Sequence, residues 1–580
     1  MRSKGSKGRP EIERDNLLDY ERVYSTFQWS RVEEEMGLTP DESWNIAVAA
    51  VDRHAAGQHG HKVALRFYDG RTEGKLTYLQ LKLLTNRFAN VLRSLGVRPL
   101  ERVALFLPAC PEFYVSFLGT VKGGAVAVPL STSFMADALT ELLRDSEAAV
   151  LVTTAALVDR VHREQLPDLR RVVIVGTGPA AGAAEPAPDP GDVAYDRAMA
   201  GAADTDAAAR ADRETPMLLL YTSGSTGKPK GVIHVHGGIT HYYQTAGHVL
   251  DLRGQDTYWC TGEPTWVAGI SYGIWAPLLR GVTSIVYCGD FSTDKWYEVL
   301  SKFRVNVWYT TPTALRRLMH SGPAKPAQGH SLKELRHILT VGEPLNPFVI
   351  RWSREAFGLQ VHDTWWMTET GGIIIANFPC LPIKPGSMGR PVPGVHAAVI
   401  DEGGRELPPL EMGQLAIMAG WPAMMRGIWR DEEKHREYFR LPPWYLTGDL
   451  AYRDGDGYFW FQGRVDDVIK KDGKRIGPFE VENKLVEHPA VLEAGVIGKP
   501  DPLWGESIKA FVVLHPDHPW SAALEADLQS FIERRLGSHL VPREIEPCQA
   551  LPRTRSGKLM RRVLKALELG LPGGDLTNQA

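Results

Sequence analysis

Short apolar runs alternate along this chain with longer stretches of mixed polarity. Arg102–Leu107, Ala125–Pro129, Ala148–Thr153 and Val172–Val175 have the length and β-branched content of buried strands. Asn45–His54 and Thr77–Leu95 repeat apolar residues at helical spacing. Met217–Tyr221, Ser284–Tyr287, Val305–Tyr309 and His337–Thr340 continue the strand series. Strands separated by helical segments predict an α/β fold on a largely parallel sheet. Residues 1–40 are polar with scattered aromatics (Tyr20, Tyr24, Phe27, Trp29) and predict an extension wrapped on the first domain. The Ala/Pro/Gly-rich segment Gly176–Gly191 reads as a long surface loop, because the alternating pattern resumes after it.

At 580 residues, 43% hydrophobic and 23% charged, the chain exceeds what one core supports, so at least two domains are expected. A net charge of -3 with no dense basic tract argues against nucleic acid and points to small-molecule partners. Five scattered cysteines show no metal-ligand or redox spacing and predict reduced thiols. The basic N-terminus lacks an apolar signal core, and no apolar run approaches the ~18–20 residues a membrane span needs. A cytoplasmic protein away from membranes is the expectation.

The densest polar signals are two. Tyr221–Gly231 reads YTSGSTGKPKG after the apolar Met217–Tyr221. With the mixed aromatic and polar segment Gly238–Leu250 after it, this order predicts strand, glycine-rich loop, helix. Gly224 and Gly227 free the backbone N–H groups, Thr222, Ser223, Ser225 and Thr226 add hydroxyls, and Lys228 and Lys230 add charge. Such a run suits a triphosphate. A flexible linker is the alternative, opposed by the flanking strand, the lysines and Pro229. It is no Walker A loop, since Pro229 stands where a magnesium-binding Ser or Thr is needed. The second signal, HDTWWMTETGG from His362 to Gly372, is too polar for a core strand, and Glu369 beside a triphosphate suits magnesium.

Together these stretches resemble the adenylate-forming superfamily of acyl-CoA synthetases. Tyr445–Glu482 and Pro552–Arg562 resemble its junction and C-terminal lysine motifs, and the double tryptophan resembles the acetyl-CoA synthetase branch. The resemblance implies a large N-terminal domain of α/β layers (1–463), a hinge (464–466) centred on Asp466, and a small mobile α+β C-terminal domain (467–580). It also implies ATP, Mg2+ and coenzyme A, with an acyl-adenylate between two half-reactions. On this pattern Thr222 to Lys230 hold the terminal phosphates, and Gly342, Glu343, Pro344, Asp363, Thr364 and Trp365 form the adenine pocket. Thr368 contacts the α-phosphate, Glu369 holds magnesium, and Asp449 and Arg464 hold the ribose. Lys558 bridges carboxylate and α-phosphate during adenylation and is a candidate for control by lysine acetylation. Gly473 and Arg475 serve the thioester step, with Gly473 beside the pantetheine. Read alone, Asp449 is equally a turn aspartate.

By the same resemblance Trp366 floors a small acyl pocket walled by Trp266, Val267, Ala268 and Val341. The sequence departs from the acetate pattern at Ala268, where the family carries threonine, at Thr265, where it carries glycine, and at Met367, where many members carry glutamine. Acetate is the first expectation and propionate stays open. A carrier-protein-dependent adenylation domain is the rival enzyme, opposed by the absence of a carrier segment. A long-chain or aromatic acid ligase conflicts with Trp366. A non-catalytic scaffold conflicts with the presence of Glu369, Asp449, Arg464 and Lys558.

Overall fold

The structure, a computed structural model, describes residues 16–39, 43–176, 191–205, 208–223, 229–320, 329–472, 474–502, 504–553 and 559–570. Its first large sheet has nine strands. Six of them, Val361–Trp365, His337–Thr340, Val307–Thr310, Thr257–Cys260, Thr283–Tyr287 and Val63–Tyr68, run parallel in that spatial order. Antiparallel strands finish both edges. The second sheet has eight strands. Pro216–Ser223, Val126–Pro129, Arg102–Phe106, Ala148–Thr154, Arg171–Val175 and Val193–Ala194 are its parallel part. Parallel strands covered on both faces need near-continuous apolar sequence. Val103, Ala104, Leu105 and Phe106 are accordingly all fully buried. The intervening helices follow the expected signals: Tyr78–Ser94 starts at a capping box between Thr77 and Gln80.

One local expectation is corrected. The glycine-rich stretch joins strand to strand, because Pro229–Val235 pairs antiparallel with Pro216–Ser223. The run Val232-Ile233-His234-Val235 adds a strand that the expected order lacked, and the helix expected at Gly238–Leu250 follows it as Ile239–His248. Phosphate held here would meet a hairpin and not a helix N-terminus.

A four-stranded antiparallel sheet follows, in which Trp444–Arg453 pairs with both Gly413–Met418 and Phe459–Arg464. Beyond Arg464 the chain forms a five-stranded sheet around Val491–Asp501 and Gly505–Leu514, with helices Pro478–Leu485, Ala522–Leu536 and Arg561–Glu568. This part has its own core, including Ile469, Val481, Leu485, Val496, Ile508 and Leu528. A large α/β body and a smaller α+β body are thus both present. The N-terminal extension packs on the large body through Tyr20, whose hydroxyl donates to Pro391 O at 2.7 Å, and Trp29, which stacks on His241. All five cysteines lie among the described residues, and none is in a disulfide. Among the described residues no helix is long and apolar enough to cross a membrane.

Candidate active site

Two turns mark the carboxyl ends of neighbouring parallel strands, where open α/β sheets place ligands. His337–Thr340 leads into Gly342-Glu343-Pro344, and Val361–Trp365 leads into the turn that carries Thr368 and Glu369. The Thr340 hydroxyl joins the strands by donating to Asp363 Oδ1 at 3.1 Å. Burial pushes the Asp363 carboxyl up to about 8, so the neutral acid persists near neutrality.

The Thr368–Glu369 turn is pinned from three sides. Trp421 donates its indole N–H to Thr370 O, Ser271 its hydroxyl to Gly371 O, each at 2.8 Å, and Met425 its amide to Glu369 O at 3.0 Å. Gly371 has φ +72°, and a Cβ there would lie 2.1 Å from Ala423 O. Only glycine fits that combination.

Facing this turn, Lys230 Nζ donates to Tyr438 Oη at 3.4 Å, and Tyr438 donates to Glu369 Oε1 at 3.2 Å. Burial, reinforced by the charge of Lys434, lowers the Lys230 pKa, while Glu369 acts in the opposite sense. Burial and the Glu369 carboxylate raise that of Tyr438.

Asp449 lies within strand Trp444–Arg453, which excludes the turn-aspartate reading. Its Oδ2 accepts from Trp365 Nε1 at 2.9 Å and its Oδ1 from Arg464 Nη1 at 2.8 Å. Each oxygen keeps a further acceptor site for a ligand hydroxyl. Gly448 makes room for this arrangement, since a Cβ there would meet Arg464 Nη2 at 2.9 Å.

One cleft of about 960 Å³ is lined by Thr222 and Lys230, by Gly342 to Pro344, by Asp363 through Glu369, and by Asp449, Arg464 and Asp466. Arg553, Leu559 and Arg561 reach the same cleft from the small body. Arg553 pairs with Glu493 at 2.9 Å and approaches Glu343 at 3.8 Å, which ties the last sheet to the Gly342–Pro344 turn. The Glu343 carboxylate is also taken by Arg316 at 2.6 Å, so this residue's contribution to an adenine pocket would come through its backbone.

Trp366, expected at the floor of an acyl pocket, is buried at 7% exposure. Val341, Val267 and Ala268 belong to the same apolar cluster as Trp366, Tyr272 and Tyr309. Trp266 is half-buried and stands outside that cluster.

Gly224, Ser225, Thr226, Gly227, Lys228, Gly473 and Lys558 lie outside the described residues, as does the side chain of Ser223. Arg475 pairs through its backbone with Lys470 in the hairpin Ile469–Ile476, and its side chain lies outside the described residues. Tyr438, Lys434 and Tyr309 carry no recognisable sequence signal, and Arg553 lies in the Pro552–Arg562 motif without having been singled out. Tyr438 closes a charged helical run (Glu432–Tyr438), and Tyr309 reads as an ordinary core strand residue.

The family model described as AMP-binding enzyme matches residues 51–429, and that described as AMP-binding enzyme C-terminal domain matches residues 480–558. An acetyl-coenzyme A synthetase of Bacillus subtilis (strain 168) is 50% identical over 573 residues, covering 98% of this chain and 99% of that relative. The crystal structure of a Brucella canis acyl-CoA synthetase is similar with a TM-score of 0.74 at 32% identity, covering 96% of this chain and 99% of that one. That of the anthranilate CoA ligase AuaEII in complex with anthranoyl-AMP reaches a TM-score of 0.81 at 29% identity, over 94% of this chain and all (100%) of that one.

Proposed function

The chain belongs to the AMP-binding enzyme family, and on that premise we propose that it is an AMP-forming acetate–CoA ligase. Its two half-reactions are balanced as follows. An acetate oxygen attacks the α-phosphorus of ATP, forming acetyl-AMP and releasing pyrophosphate. The CoA thiolate then attacks the acyl carbon, forming acetyl-CoA and releasing AMP.

One observation carries this reading: a single cleft is lined both by Lys230, Thr368, Glu369 and Asp449 and by the buried Trp366. Asp449 accepts the ribose hydroxyls on a carboxylate already oriented by Trp365 and Arg464. Lys230 and the loop Thr222 to Lys228 hold the terminal phosphates, and Thr368 donates to the α-phosphate. One carboxylate, Glu369, next to phosphate oxygens is the donor set magnesium takes. Glu369 would hold the ion, which when bound would supply neutralising charge to the pyrophosphate. Lys558 supplies the mobile cation between carboxylate and α-phosphate. Because the charge that develops lies on phosphoryl oxygens, these fixed donors and cations supply the catalysis.

For the second half-reaction we place the hinge at 464–466, between a domain of residues 1–463 and one of 467–580. Rotation about Asp466 would bring Gly473 and Arg475 to the cleft in place of the Lys558 segment. The reaction belongs in the cytoplasm, and acetylation of Lys558 would erase the charge that adenylation needs.

Pyrophosphate release across acids from formate to benzoate, with and without CoA, tests the reading. A maximum at acetate, with CoA accelerating turnover, is expected. A maximum at longer or aromatic acids would overturn the assignment of Trp366 as pocket floor, and no pyrophosphate from any acid would overturn the enzyme reading.

A further inference from the structure

Trp366 is held by a chain of hydrogen bonds whose direction follows from the groups themselves. Its indole Nε1 only donates, and it reaches Tyr309 Oη at 2.9 Å. Tyr309 Oη lies 2.7 Å from Thr364 Oγ1, and Thr364 Oγ1 donates to the Thr340 carbonyl at 2.7 Å. The carbonyl only accepts, so the Thr364 proton is committed to it, and the Tyr309 proton must lie toward Thr364. Tyr309 therefore turns a lone pair to Trp366. The chain starts at the pocket floor and ends at the residue before Val341, the pocket wall, so one set of bonds fixes both.

Other neighbours do not duplicate this restraint. Tyr272 packs edge-on against the Trp366 ring at 5.0 Å and 74°. Its hydroxyl is engaged elsewhere, accepting from Ile373 N at 2.7 Å and lying 2.9 Å from Thr245 Oγ1. Among the described residues, Tyr309 is the one hydrogen-bond partner of the Trp366 indole. Tyr309 is itself fully buried in the central strand Val307–Thr310, where its ring cannot swing.

Building on the acetate-ligase reading, we propose that Tyr309 is a positioning residue for acyl-chain selection. Its hydroxyl holds the Trp366 indole across the pocket floor, so chain-length preference depends on this bond as well as on the bulk of the indole. Without the bond the indole N–H is buried and unpaired, a costly state that favours any ring orientation able to reach another acceptor. An orientation that tips the ring off the pocket floor opens room for a longer acyl chain. A pocket of this kind separates acids differing by one methylene by only ~10- to ~200-fold, so a small displacement of the floor is enough to change the ranking.

The test measures kcat/KM for acetate, propionate and butyrate by pyrophosphate release, in the wild-type protein, Trp366→Gly, Tyr309→Phe and the double variant. Phenylalanine keeps the ring and removes only the hydroxyl. Tyr309→Phe is expected to lower the acetate-over-butyrate ratio by about tenfold or more, and to add nothing to that ratio once Trp366 is glycine. A merely structural role would act in both backgrounds. A wild-type ratio in Tyr309→Phe, or an equal shift in both backgrounds, overturns the inference and leaves the acetate-ligase reading standing. A Trp366→Gly variant with an unchanged optimum overturns instead the reading of Trp366 as floor. Should Tyr309→Phe fail to fold, replacing the Trp366 indole by its benzothiophene isostere removes the N–H from the other end of the same bond. An undiminished ratio in that variant overturns the inference equally.

Discussion

Trp365 donates its indole N–H to Asp449 Oδ2 at 2.9 Å, across 84 residues of sequence. Arg464 occupies the other carboxylate oxygen at 2.8 Å, so the carboxylate cannot rotate freely before a nucleotide arrives. Hydrogen bonds to a charged group contribute about 1.5–3 kcal/mol. Trp365→Phe should therefore raise the KM for ATP roughly 10- to 100-fold. The effect on kcat should be smaller, because a ribose held by Asp449, as proposed, would be held alike in ground and transition states. Steady-state kinetics at saturating acetate would measure this split. An unchanged KM would mean that the indole is packing only.

Two glycines with nearly equal dihedrals make a second test. Gly371 has φ +72° and Gly358 has φ +71°, yet a Cβ at Gly371 would lie 2.1 Å from Ala423 O and one at Gly358 would meet nothing within 4 Å. Gly358→Ala should cost about 1–2 kcal/mol, the strain of the left-handed region alone. Gly371→Ala adds a backbone clash and should cost about 2–5 kcal/mol. It should also depress adenylation, because the strained turn carries Thr368 and Glu369. Urea unfolding midpoints compare the two variants, and equal losses would contradict the clash.

The parallel strands were legible because burial on both faces leaves runs such as Arg102–Phe106 with no polar alternation. The strand Pro229–Val235 is missing from the expected order because Lys230 and Gly231 at its start mask the β-branched run that continues the sheet. The polar turn at Thr368 stood out by composition, but its partner Tyr438 did not. Their meeting depends on a helix 69 residues away along the chain, and a local pattern reports period and not partner. Tyr309 illustrates the same limit, since a buried aromatic in a strand has one sequence appearance whether or not its hydroxyl is used. Asp449 became distinguishable from a turn residue only once its strand was paired with Phe459–Arg464.

The pH dependence of stability should carry the signature of Asp363. Its carboxyl is pushed by burial from the ordinary 3.8 up to about 8. Between those values the folded state binds a proton that the unfolded state releases. The stabilisation of the neutral acid is complete below about pH 4 and declines as pH rises, levelling off above about 8. The local slope approaches about 1.4 kcal/mol per pH unit. Asp363→Asn keeps an acceptor for Thr340 and removes the titration. Unfolding free energies at pH 5 and pH 8 should therefore differ less in the variant than in the wild type. The same difference in both would assign the slope to another group.

Lys558 offers the sharpest separation of the two half-reactions. The segment that bears it lies outside the described residues, but Arg553 and Leu559 on either side pair with one another and line the cleft. A lysine between them has a cation on a long flexible stem, able to follow negative charge as it passes from carboxylate to phosphate. The thioester step starts from acetyl-AMP already formed and has no such transfer to bridge. Lys558→Ala should thus abolish pyrophosphate release from ATP and acetate while retaining acetyl-CoA formation from supplied acetyl-AMP. Protein acetylated at Lys558 should behave like the variant, since acetylation removes the charge and keeps the chain. Deacetylation should then restore adenylation. Equal loss of both half-reactions would place Lys558 in the shared architecture of the cleft, and equal adenylation rates for acetylated and unmodified protein would remove it as a control point.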